Sequence, residues 1–123
     1  MKRVLRISPI LFAAILFFAS CKDEPINIFT VEDDKELGLQ VKDEIENDPA
    51  TYPLLDEAQY PEAYQHLRRI RDTILASGQV GYADDFSWEC KLVDEDVLNA
   101  FCAPGGYIYV YTGLIKYLDN EAQ

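Results

Sequence analysis

Histidine is almost missing from this chain of 123 residues: His66 is the only one. The three cysteines, Cys21, Cys90 and Cys102, form no Cys-x-x-Cys pair. A zinc site of the common histidine and cysteine kind therefore cannot be assembled from these residues. Basic residues are the second shortage, with 11 Lys and Arg against 22 Asp and Glu and a formal net charge of −11. Such a balance excludes a nucleic-acid binder and an electrostatic grip on anionic lipid. Long hydrophobic runs are absent beyond the first twenty residues, and that first run is too short for a membrane span. No repeat or low-complexity segment is present, and the length bounds the chain to one domain.

The first residues carry a targeting pattern. Lys2, Arg3 and Arg6 precede an apolar run, Ile7–Ala19, broken only by Ser8 and Pro9. It ends in Phe18-Ala19-Ser20-Cys21. This resembles a bacterial lipobox, with Phe18 where leucine is commonest. Residues 1–20 then read as a lipoprotein signal peptide, Cys21 as the lipidated first residue of the mature chain, and 21–30 as a polar tether. The expected location is the bacterial cell envelope, lipid-anchored, with the side of the membrane left open. An ordinary signal peptide with an incidental cysteine is the alternative. From Cys21 onward the side chains sum to 8 − 22 = −14, which suits a tethered domain held off the bilayer.

From Val31 the spacing turns helical. Leu37, Val41 and Ile45, with Leu39 beside them, mark an amphipathic helix over 31–47, capped by Thr30 and ended by Asn47-Asp48-Pro49. Gly38 lies inside it, where a neighbouring backbone would pass close. A second helix starts at Tyr60-Pro61, with a stripe of Ala63, Tyr64, Leu67, Ile70, Ile74 and Leu75 and Gly78 past its end. Arg68, Arg69 and Arg71 lie mostly off that stripe and read as surface partners of carboxylates, and His66 as a surface or boundary residue. Residues 86–93 alternate in polarity and predict a half-buried strand. Val97–Gly113 then holds two apolar segments split by Pro104-Gly105-Gly106, the second rich in tyrosine. The expectation is an α+β domain: two N-terminal helices followed by a three-stranded antiparallel meander. A hairpin centred near residue 96 would set Cys90 opposite Cys102, making a cross-strand disulfide possible; two small buried thiols are the other reading. Leu114, Ile115, Tyr117 and Leu118 suggest a short helix, and Asn120 with Gln123 has the form of a cap for another.

The stretch Asn99-Ala100-Phe101 with Pro104-Gly105-Gly106-Tyr107-Ile108, continued by Leu118-Asp119-Asn120-Glu121-Ala122, resembles the segment just upstream of the zinc helix in family forty-eight of the metallopeptidases. This is the family of the heat-shock membrane protease HtpX and the CAAX prenyl endoprotease. Trp88 and the Glu36-Leu37-Gly38 helix fit the same pattern, so the resemblance covers residues 31–123, while Cys102 and Ala103 depart from its commoner Ala-Leu pair. The resemblance implies a partial zincin-like domain leading into a zinc helix that these residues do not contain. In that family a His-Glu-x-x-His helix holds zinc and supplies the general base for water attack on a peptide bond. It also implies that Tyr107, Ile108 and Tyr109 lie beside the substrate cleft, where the strand edge pairs with an extended peptide. Asn99, Ala100, Phe101, Pro104, Gly105 and Gly106 would then shape the adjoining strand and turn. Plain core strand and turn is the competing reading of the same residues.

The function expected is therefore the N-terminal portion of a membrane-anchored zinc metalloendopeptidase acting on envelope proteins, inactive without the zinc helix. The alternative is a non-catalytic lipoprotein binding module built on a degenerate peptidase front half. Anchoring has a direct test. The wild type should incorporate a radiolabelled fatty acid and Cys21→Ala should not; equal labelling of the two would remove the lipobox reading.

Overall fold

The computed structural model describes residues 29–120. The signal-peptide, lipidation and most of the tether assignments lie outside them. Two helices, α1 (Val31–Glu46) and α2 (Pro61–Leu75), precede the strands β1 (Glu89–Val93), β2 (Ala100–Ala103) and β3 (Tyr107–Tyr111). A turn of 3₁₀ helix, Pro104–Gly106, joins β2 to β3, and a short helix α3 (Thr112–Tyr117) follows. The α+β class is as expected. Among the described residues, no helix is long and apolar enough to cross a membrane.

The first helix forms where its cap and dipole favour it. Thr30 accepts from the Asp33 backbone N–H at 3.1 Å, and the Asp33 carboxylate accepts from the Thr30 N–H at 2.8 Å. That reciprocal box satisfies two donors that the first turn leaves free. These bonds hold the Asp33 carboxyl below the usual carboxylate range. The face turned inward carries Asp34, Lys35, Gly38, Val41, Lys42 and Ile45, with Gly38 and Ile45 buried. Leu37 and Leu39, which head the apolar stripe in the sequence, point outward and are exposed. The inward face keeps Val41 and Ile45 but has Gly38 in place of Leu37, because the helix packs on backbone there, where a leucine would not fit.

The sheet corrects the expected meander. Its order is β1-β3-β2, with β3 parallel to β1 and antiparallel to β2, so the sheet is mixed. The connection 94–99 carries the chain past β3 rather than folding β2 back on β1. The most aromatic strand takes the centre, where both of its faces can be covered. Tyr107, Tyr109 and Tyr111 point toward α1 and are buried with Ile45, Val93 and Ala103, and Val41, Tyr52, Leu54 and Phe101 pack against them. β1 also starts later than its alternation suggests. Trp88 sits at φ 48°, in the left-handed region, where its C=O accepts from an Arg71 Nη1 at 2.7 Å and its indole N–H donates to Ala83 O at 2.9 Å. Such a conformation costs roughly 1–3 kcal/mol for a bulky residue, and those two bonds hold it in place.

The second helix closes the other side of β1. The buried Tyr64 hydroxyl donates to Leu55 O at 2.6 Å and accepts from the Leu92 backbone N–H at 3.2 Å. Leu92 O in turn accepts from Leu55 N at 2.9 Å, and Pro53 O accepts from Asp94 N at 2.8 Å. One phenol and a short extended segment thus satisfy the outer side of β1 at Leu92 and, just past its end, at Asp94. Replacing Tyr64 by Phe leaves the buried Leu92 N–H unpaired, and chemical denaturation should show a loss of about 1–3 kcal/mol.

Candidate functional site

The strand order decides where a peptide can add. β3 is central and bonded on both sides, so its edge is not open to a substrate; the expectation that Tyr107–Tyr111 pairs with a peptide is corrected on that ground. β1 is edged by Leu54, Leu55 and Tyr64. The open edge belongs to β2.

Its parity follows from one hydrogen bond. Asn99 O accepts from Tyr111 N at 3.1 Å. In an antiparallel ladder, bonded pairs alternate, so Asn99, Phe101 and Ala103 face β3 with their backbone groups. Ala100 and Cys102 turn their N–H and C=O groups outward, away from the sheet. Side chains follow the perpendicular alternation. Phe101 lies on the α1 face, stacked on Tyr109 with centroids 4.8 Å apart and tilted against Tyr52 at 6.1 Å. Ala100 and Cys102 lie on the opposite face with Ile108 and Val110, and both are exposed. Val97, Leu98 and Ile115 are exposed apolar residues of the segments on either side.

The remaining residues singled out in the sequence divide by role. Asn99 holds the strand entry through its backbone, donating to Val97 O at 3.0 Å as well as accepting from Tyr111. Gly105 and Gly106 have φ of 75° and 90°, so the turn needs both. A Cβ on Gly106 would stand 2.9 Å from Trp88 N, which brings the Trp88 backbone against the turn. Tyr107 and Tyr109 are core, and Ile108 is half-buried on the open face. Cys90 and Cys102 do not form the cross-strand pair. Both register with Ile108 from opposite sides, two ladder spacings or roughly 10 Å apart, beyond the ~7 Å reach of a disulfide. Both thiols are free, and burial pushes the Cys90 thiol up, so it packs as an apolar group.

Charge is arranged in pairs above the α1 face. Lys42 Nζ lies 2.8 Å from the Glu89 carboxylate and 5.2 Å from the Tyr107 ring centroid, and Lys91 Nζ lies 3.2 Å from Glu46. The bond to Glu89 raises the Lys42 ammonium. Arg68 pairs with Glu57 and Arg71 with Asp72, as expected of those arginines, although Arg71 also reaches inward to Trp88. His66 is on the exposed side of α2. Among the described residues, no group of three or more His, Cys, Asp or Glu converges to hold a metal ion. What these residues present is a bare strand edge beside an apolar face. In the sequence Ala100 reads as near the cleft and Cys102 only as a possible disulfide partner or a small buried thiol; the parity that unites them is visible only once β3 is known to be central.

One buried group has no partner. The Tyr109 hydroxyl is fully enclosed, and no described residue bonds it. Burial, and then the nearby carboxylates Glu46 and Glu89, push its pKa up to about 12 from 10.0. The folded state therefore keeps a proton that the unfolded chain releases above pH 10, so stability falls as pH rises from 10 toward 12. Lys42 adds to the same slope, since its raised ammonium loses its charge in alkali. Tyr109→Phe should flatten the alkaline decline in thermal midpoint without abolishing it, and should leave the midpoint at pH 7 equal or higher.

Comparison with known proteins matches the same part of the chain. The profile of Peptidase family M48 matches residues 61–123, from the first residue of α2 through the sheet and α3. The mitochondrial metalloendopeptidase OMA1 of Arabidopsis thaliana is 38% identical over 48 residues, which is 39% of this chain and 10% of that protein. The aligned stretch thus spans about a tenth of the length of that relative.

Proposed function

The chain belongs to Peptidase family M48, and from that premise we propose that it forms the substrate-side portion of a lipid-anchored zinc metalloendopeptidase of the bacterial envelope. Its substrates are proteins or peptides with an extended stretch. The observation that carries this reading is the bare edge of β2, which lies inside the matched segment and beside an exposed apolar face.

The chemistry asked of this portion is alignment. A substrate strand laid against β2 exchanges backbone hydrogen bonds with Ala100 and Cys102, each worth about 0.5–1.5 kcal/mol net. Such bonds read no side chain, so they suit a peptidase of broad sequence tolerance. The small side chains of Ala100 and Cys102 leave space on the open face for alternate residues of the peptide. Zinc is the metal of this family, and the described residues do not fit it: their one histidine is on the outer side of α2, away from β2. The metal ligands and the general base would come from a segment outside the described residues. The anchor at Cys21 would keep this edge close to the membrane surface, and the acidic surface would keep it soluble there.

The reading has two tests. The reading frame beyond Gln123 should encode His-Glu-x-x-His within about twenty residues. A full-length protein lacking it would be the non-catalytic binding module instead. In the full-length protein, hydrolysis of an unfolded protein substrate should require zinc and stop with a chelator. Cys102→Pro removes one outward N–H at an edge position where proline is tolerated. It should lower kcat/KM about tenfold with little change in thermal midpoint. An unchanged kcat/KM would take the edge out of substrate binding.

A further inference from the structure

The matched segment begins at residue 61, so α1 lies outside it. Yet α1 touches the turn that ends β2 backbone to backbone. A Cβ on Gly38 would stand 2.2 Å from Pro104 O, 2.7 Å from Pro104 C and 3.0 Å from Tyr107 Cε2. From the turn's side, a Cβ on Gly105 would stand 3.4 Å from Asp34 O and 3.5 Å from Lys35 Cα. Four residues after Gly38, Lys42 spans the Tyr107 ring and reaches Glu89. One turn later Glu46 reaches Lys91, and Ile45 enters the core beside Val93 and Tyr109. The helix is therefore registered along the sheet at three successive levels, and the closest of them is at the Pro104 carbonyl.

We infer that α1 is a positioning brace for the β2 edge, with Gly38 as its positioning residue. Pro104 follows directly on Ala103, whose backbone faces β3, and Cys102, whose backbone faces outward, is the next residue back. A displacement of the Pro104 carbonyl is thus passed to the outward groups of Cys102 through two residues of strand. Any side chain at position 38 requires the helix and the turn to separate by about 1 Å, a misplacement large enough to degrade a binding geometry. The brace acts on the substrate through β2 alone, so its loss weakens the pairing that substrate and transition state share. That raises KM and leaves kcat nearly constant. This inference rests on the peptidase reading for its kinetic consequence, but not for its structural one.

Gly38→Ala in the full-length protein tests it. KM for an extended peptide should rise about tenfold with kcat within about twofold of wild type. Amide exchange should quicken at Phe101 and Ala103 and stay unchanged across β1. Leu39→Ala, on the outward side of the same helix, should change neither quantity. If Gly38→Ala fails to fold, Lys42→Met decides, since it loosens the second level without crowding the first; KM should then rise about threefold. An unchanged KM in folded variants, or exchange quickened equally in every strand, overturns the brace. If the wild type shows no zinc-dependent hydrolysis, the peptidase reading falls. The exchange pattern then judges the brace alone.

Discussion

A strand bonded on both sides has no backbone groups left to offer, and that saturation of β3 governs the rest of the molecule. With Tyr107–Tyr111 at the centre, its three inward tyrosines can be enclosed by α1 and its ladder partners fall on either side. β1 becomes one edge and β2 the other. Pro53–Leu55 and the Tyr64 hydroxyl occupy the first, so the exposed face and the free edge both fall at β2. The strand-pairing site proposed for this protein follows from which strand is in the middle.

Much of this was legible in the residues. Thr30 announces its cap, proline and glycine bracket the second helix, and Gly38 marks a close backbone approach that the Pro104 carbonyl duly makes. The aromatic and β-branched run at 107–111 reads correctly as a strand. Strand order did not read through. The acidic connection 94–99 has the composition of a hairpin turn but is long enough to pass over a neighbouring strand, and local pattern does not distinguish the two. The possible pairing of Cys90 with Cys102 hangs on that one ambiguity, and the mixed strand order removes it. A second limit is conformational: Phe86 and Trp88 continue the alternation of β1 in sequence, while the left-handed backbone at Trp88 ends the strand before it reaches them.

Electrostatics plays a supporting part. The chain is strongly acidic, yet Lys42, Lys91 and Arg68 are taken up by carboxylates of neighbouring segments, while Arg71 pairs with Asp72 on its own helix. Lys42–Glu89 and Lys91–Glu46 tie helix to sheet around the hydroxyl of Tyr109, a group that is itself enclosed without a bond. Partly exposed pairs of this kind contribute modestly to stability. Their value here is geometric, since each links a turn of α1 to its own residue of β1.

The covering of β1 by Leu54, Leu55 and Tyr64 has a consequence for stoichiometry. Among the described residues the sheet has one growing side and one stopped side. A body with a single sticky edge can take up one strand, or join one twin edge to edge, and then it is finished. The described residues leave no second open edge from which a fibre could propagate. Strand addition to this sheet is therefore a one-to-one event by construction. Two copies that met through β2 would each block the other, so dimer and peptide would compete for the same short row of backbone groups.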